Sequence, residues 1–86
     1  MEKPTLFSLE NCPKCYQTKQ LIKEEDNIDI ITFPHDITNW SDDNIRTAKE
    51  HMVFEDLQKT APILWLNGEK IIGYLRIRKW LQDNKK

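Results

Sequence analysis

Thr5-Leu6-Phe7-Ser8-Leu9-Glu10-Asn11-Cys12-Pro13-Lys14-Cys15 is the stretch that decides how this chain is read. Thr5–Leu9 is short and apolar and reads as a buried strand. From Pro13 to about Glu25 the pattern becomes helical: Cys15, Thr18 and Ile22, with Leu21 and Glu25 beside them, form a stripe whose apolar members face a core. Pro13 suits the first helical turn, where its missing N–H costs nothing and its φ is already helical. That places Cys12 at about the N-cap. The unpaired N–H groups and partial positive charge of a helix start favour an anion, here the reactive thiolate.

Cys12 and Cys15 are the only cysteines. The residues alone leave three readings of them open: a redox dithiol, half of a metal site, or an inert pair. A tetrahedral zinc site commonly takes a second C-x-x-C or a closely spaced histidine pair. There is no third cysteine, and His35 and His51 lie far apart, so no metal ligand set is assigned. A structural disulfide across so short a loop would stabilise the fold little. Redox chemistry is the favoured reading.

With 86 residues the chain is one domain, residues 1–86, able to bury one modest core. A hydrophobic content of 38% beside 31% charged residues is that of a globular protein rather than a disordered one. No apolar run reaches the length needed to cross a bilayer, and no apolar stretch behind Met1 resembles a signal peptide. The cytosol is the expected compartment, where a C-x-x-C is kept reduced and can cycle. Net charge is −1, which gives no case for nucleic-acid binding. The charge is sorted along the chain, +2 over residues 1–23, −8 over 24–56 and +5 over 57–86. Such runs are either solvated faces or a polarised surface that steers a protein partner.

Ile28–Phe33 is rich in β-branched residues, is stopped by Pro34, and reads as the second strand. Strand, helix and strand in about 30 residues make a βαβ unit with parallel strands. A helix over about 41–52 follows, with Ser41 as N-cap, Asp42 and Asp43 in its first turn, and Trp40 and Ile45 placed as a hydrophobic staple. Residues 53–60 fit a loop or a short extra helix through Phe54–Leu57. Pro62 introduces the strand Ile63–Leu66, Asn67-Gly68 signals a hairpin, and Lys70–Ile72 returns, ended by Gly73. A last helix over about 75–84 presents Leu75, Ile77 (or Arg78 by its stem), Trp80 and Leu81 to the sheet. The expected fold is α/β, a four-stranded mixed sheet flanked by three helices in the order β-α-β-α-β-β-α.

That order, with C-P-x-C at the first helix, resembles the thioredoxin fold and within it the glutaredoxins, including the small glutaredoxin-like dithiol redoxins of large bacteriophages. The likeness spans nearly the whole chain. Cys12-Pro13-Lys14-Cys15 looks like the dithiol motif with lysine in place of the usual tyrosine. Lys19 matches a basic residue commonly found one turn after the second cysteine. Thr60-Ala61-Pro62 resembles the family's T-V-P, whose proline is cis and whose loop faces the nucleophilic sulfur. Trp65–Gly73 resembles the segment that leads to the family's double glycine.

The resemblance implies a thiol–disulfide oxidoreductase that needs no bound cofactor and acts as a monomer on disulfide-containing proteins, ribonucleotide reductase being one such client. Cys12 would be the nucleophile and Cys15 the resolving thiol, the pair cycling through a Cys12–Cys15 disulfide. Pro13, Lys14 and Lys19 would support them. Thr60, Ala61, Pro62, Gly73, Tyr74 and Arg76 would meet substrate. Lys14 reads either as a charge that adds to the helix field or as a solvated side chain. Tyr74 reads either as a wall of the thiol groove or as a half-buried core residue.

The departures bear on the electron source. Ile72-Gly73 stands where the family has two glycines. Leu75 and Arg76 replace the acidic pair that holds the γ-glutamyl end of glutathione, and Leu9 replaces a lysine three residues before the first cysteine. The glutathione anchors are weak, and thioredoxin reductase is the expected reductant. Two other classes stay open: a metal or iron–sulfur module using Cys12 across a dimer, and a non-catalytic thioredoxin-fold interaction protein.

Overall fold

The computed structural model describes residues 4–23, 26–66 and 68–83. The elements are β1 (Thr5–Leu9), α1 (Pro13–Leu21), β2 (Asp29–Phe33), α2 (Asp42–Glu50), α3 (Phe54–Lys59), β3 (Ile63–Leu66), β4 (Glu69–Ile72) and α4 (Tyr74–Asp83), with a 3-10 turn at Ile37–Asn39. The strands form one mixed sheet in the order β2-β1-β3-β4. β1 and β2 run parallel, Phe7 opposite Ile31. β1 and β3 run antiparallel, as do β3 and β4, with Leu6 opposite Leu64 and Ile63 opposite Ile72.

Alternation along the strands splits the core in two, because successive side chains leave opposite faces of a sheet. Leu6 and Leu64 pack with Ile77 and Leu81 of α4 and with Leu21 of α1. Phe7, Phe33 and Ile63 pack on the other face with Trp40, Ala48 of α2, Leu57 of α3 and Val53, the residue that precedes α3. Helices therefore cover both faces, α1 and α4 on one, α2 and α3 on the other. Phe33 and Trp40 rings lie 4.7 Å apart, and Trp40 Nε1 donates to the Pro34 carbonyl at 2.8 Å, so the indole is buried with its donor satisfied.

Among the described residues four helices, not three, flank the sheet. Residues 54–59 become α3 because Val53 and Leu57, four residues apart on one helical side, are both buried against the sheet. α1 stops at Leu21 rather than near Glu25. Ile22 is extended (ψ 130°), and it joins Ile28 in packing against the α4 side of the core. Glu24 and Glu25, at the expected helix end, lie outside the described residues, as does Asn67 of the expected Asn67-Gly68 turn; Gly68 itself has φ +96°. β2 starts at Asp29, one residue later than expected.

Ser41 caps α2 in a reciprocal box: its hydroxyl accepts from Asn44 N–H at 3.1 Å, and Asn44 Oδ1 accepts from Ser41 N–H at 3.0 Å. Trp40 and Ile45 share one core cluster, as a staple requires. α4 begins at Tyr74 because Gly73 turns the chain with φ +99° and its carbonyl accepts the Ile77 N–H. Among the described residues no helix is long and apolar enough to cross a membrane.

Candidate functional site

β1 is buried over most of its length and delivers its carboxyl end to the thiols. Glu10 N–H donates to the Phe33 carbonyl at 2.9 Å and so prolongs the pairing with β2 by one residue. Asn11 then takes a left-handed conformation (φ 55°), which asparagine tolerates better than most residues, and turns the chain into α1. Cys12 is the N-cap, extended at φ −114° and ψ 112°, and Pro13 occupies the first turn. The Cys12 carbonyl accepts the first helical bond, from Tyr16 N–H at 2.9 Å.

The Cys15 backbone N–H donates to Cys12 Sγ at 3.3 Å. Cys12 Sγ thus takes the capping role that a serine or aspartate oxygen plays elsewhere. Cys12 is half-buried and Cys15 only 1% exposed. Cys15 Sγ accepts from Leu9 N–H at 3.3 Å. Burial, together with the side-chain contact to Cys12, pushes the Cys15 thiol up to about 12, against the smaller opposing pull of the Leu9 N–H and the Lys19 charge. Both cysteines are free thiols. One sulfur is reachable and capped; the other is inside and held protonated.

One depression is lined by Cys12, and a second is lined by Lys14, the residue between Cys12-Pro13 and Cys15. The larger, of about 610 Å³, lies on the β2 side and is lined by Cys12, Pro13, Tyr16, Lys19, Glu10 and Thr32 among others. Lys19 Nζ donates to Thr32 Oγ1 at 2.8 Å, and Thr32 Oγ1 lies 3.0 Å from the buried Ser8 Oγ. The smaller, of about 290 Å³, lies between the starts of α1 and α4 and is lined by Lys14, Thr60, Ala61, Ile72, Gly73, Tyr74, Leu75 and Arg76. Lys14 Nζ stands over the Tyr74 ring, 5.4 Å from its centroid.

Most of the expected substrate-side residues therefore meet in one groove beside Lys14: Thr60, Ala61, Gly73, Tyr74 and Arg76. Tyr74 is a wall of that groove. Pro62 sits beneath it, fully buried, with a cis Ala61–Pro62 peptide bond as expected, and its carbonyl accepts Gly73 N–H at 3.0 Å. Lys19 lies apart from this group, in the β2-side depression. The Lys19–Thr32–Ser8 chain was not foreseen; Ser8 and Thr32, opposite each other across the parallel pair, are the signal that register would have given.

The histidines take no part in the site. His51 is wedged between Phe7 and Trp65, with ring centroids 5.0 and 4.6 Å away, and its Nδ1 bonds the Thr47 carbonyl at 2.8 Å. His35 Nδ1 bonds the Glu10 carbonyl at 3.1 Å. Among the described residues no three His, Cys, Asp or Glu side chains gather as a metal site would need. No family model matches the chain, and no curated protein matches its sequence.

Proposed function

We propose that this chain is a dithiol thiol–disulfide oxidoreductase of the thioredoxin fold, glutaredoxin-like, that reduces protein disulfides. The observation that carries the reading is the asymmetry of the thiol pair. Cys12 caps α1 and is half-exposed, while Cys15 is buried behind it and hydrogen-bonds Cys12 through its own N–H. The parallel β1–β2 pair and the antiparallel β3–β4 hairpin support the same reading.

In this mechanism Cys12 thiolate attacks one sulfur of a substrate disulfide. A Cys12–substrate S–S bond forms, the substrate's own S–S bond breaks, and the departing thiolate takes up a proton. Cys15 then attacks Cys12 Sγ. Because its thiol is pushed up to about 12, Cys15 gives up its proton only as the new bond forms, and the departing substrate thiolate is the natural acceptor. The products are a Cys12–Cys15 disulfide and a dithiol substrate, two electrons having left the protein. A reductant restores the thiols; thioredoxin reductase is favoured over glutathione. Ribonucleotide reductase is one client of the kind the family resemblance implies.

The test is reduction of insulin disulfides by the reduced protein with dithiothreitol as electron source. Turnover lost in Cys12→Ser, and a mixed disulfide accumulating in Cys15→Ser, is the expected result. Turnover no faster than dithiothreitol alone would overturn the reading.

A further inference from the structure

α4 carries Arg76, Arg78 and Lys79, all exposed, and its one acidic residue is Asp83 in the last turn. Its start lies against α1, where Lys14, also exposed, reaches over Tyr74. Neither wall of the groove between them holds a carboxylate among the described residues. Leu75, on the same helix, is 71% exposed. The opposite helical layer has the reverse balance: α2 and α3 bear Asp42, Asp43, Glu50, Glu55 and Asp56 against Arg46, Lys49 and Lys59. In a chain of net charge −1, the helical layer that holds the thiols thus carries a cationic excess, Lys14, Lys19, Arg76, Arg78 and Lys79 against Asp83.

We infer that the exposed face of α4, continued by Lys14 across the groove beside Tyr74, is a docking surface for an acidic segment of a protein partner. The inference rests on the oxidoreductase reading for what the partner brings, a disulfide, but the surface is argued from charge and shape. Arg76 and Lys79 are one turn apart, about 5 Å along the axis, so carboxylates spaced along a partner segment can each meet a cation. Leu75, four residues before Lys79 and beside it on the same helical side, offers an apolar anchor at their edge, and the groove of about 290 Å³ has room for an apolar side chain of the partner. Complementary charge of this kind raises encounter rates and rejects basic partners, and is screened by salt. The occupant is an acidic protein segment, not a nucleic acid or a second copy.

The probes are two fluorescein-labelled peptides with one leucine among glutamates or among glutamines. Binding is measured by anisotropy with the full-length Cys12→Ser protein, in which serine keeps the N-cap. The glutamate peptide is expected to bind about tenfold tighter at low salt, with the preference fading as the Debye length falls below about 10 Å. Arg78→Glu with Lys79→Glu should abolish the preference, Arg78→Gln with Lys79→Gln should reduce it, and Arg46→Glu on the opposite layer should leave it. Equal binding of the two peptides, or a preference that survives Arg78→Glu with Lys79→Glu, overturns the inference. So does a salt-sensitive dimer in sedimentation equilibrium that the same variant dissolves, since the surface would then belong to a second copy. Reaction of the unmodified protein with the uncharged bis(2-hydroxyethyl) disulfide checks the thiol chemistry separately. Failure there overturns the oxidoreductase reading, while the peptides still decide the surface.

Discussion

The N–H of Cys15 points at Cys12 Sγ, 3.3 Å away, so the two cysteines are joined by a helix cap before any disulfide forms. The cap gives each sulfur a different chemistry. Cys12 gains a donor and stays half-exposed; Cys15 is carried one turn inward and loses contact with water. A substrate can reach the first and not the second.

Reduced protein treated with limiting iodoacetamide near neutral pH should therefore be alkylated at Cys12 first, with Cys15 modified only after unfolding. Peptide mapping by mass spectrometry reads the order. Modification of Cys15 first, or of both at equal rates, would contradict the assignment of nucleophile and resolving thiol.

A second consequence is a pH dependence of stability. The Cys15 thiol has an ordinary value of 9.0 and is pushed up to about 12 in the fold, chiefly by burial. Its folded value is raised, so its contribution to stability is complete below about pH 9 and is lost as pH rises toward 12. In that window the unfolded chain has released a proton that the folded chain still holds. The loss approaches about 1.4 kcal/mol per pH unit. Urea denaturation of the reduced protein at several pH values should give a steeper decline for the native chain than for Cys15→Ala. Parallel slopes would mean that Cys15 is not the group responsible.

The strands β1 and β3 were legible to the residue, because each is a compact apolar run bounded by turn or proline signals. The N-cap at Ser41 and the staple at Trp40 and Ile45 were legible for a local reason: capping chemistry spans only four or five residues. Six residues hold too little periodicity for the sequence alone to separate α3 from a loop. Its reason for existing is tertiary, the burial of Val53 and Leu57 on a sheet that sequence does not display. The end of α1 is hidden from the sequence for the same reason, since Ile22 continues the helical stripe yet is drawn into packing beside α4. At the site, C-P-K-C and the Thr60-Ala61-Pro62 bend were visible as motifs. The placement of Lys19 over Thr32 and Ser8 depends on strand register and was not.

Phe33 offers a test of the core that positions the thiols. Its ring is fully buried between Phe7 at 5.9 Å and Trp40 at 4.7 Å, and its carbonyl holds Glu10 at the start of the thiol loop. Phe33→Ala should cost about 3–5 kcal/mol, a large share of the stability of so small a domain. Denaturant unfolding measures it, and a loss below about 1 kcal/mol would show that the aromatic cluster is not the centre of the α2–α3 face.

As electron source, thioredoxin reductase should sustain turnover better than glutathione. A small zwitterionic tripeptide is recognised by charge-paired anchors at both ends, and each charged hydrogen bond not made forfeits about 1.5–3 kcal/mol. In the groove beside Lys14 the walls are Ile72, Leu75 and Tyr74, the charges are Lys14 and Arg76, and no described carboxylate is present to hold an ammonium group. On the other side of the thiols Leu9 supplies no cation, and the one cation lining that depression, Lys19, already donates to Thr32. Two missing anchors correspond to about a hundredfold in affinity, since about 1.4 kcal/mol is tenfold. A protein reductase does not depend on those anchors, because it can spread its contacts over Leu75 and the cations of α4. Catalytic efficiency is to be compared under one set of conditions, with glutathione plus glutathione reductase in one arm and thioredoxin reductase in the other. Glutathione-driven turnover equal to or faster than the other arm would show that the absent anchors do not govern the choice of reductant.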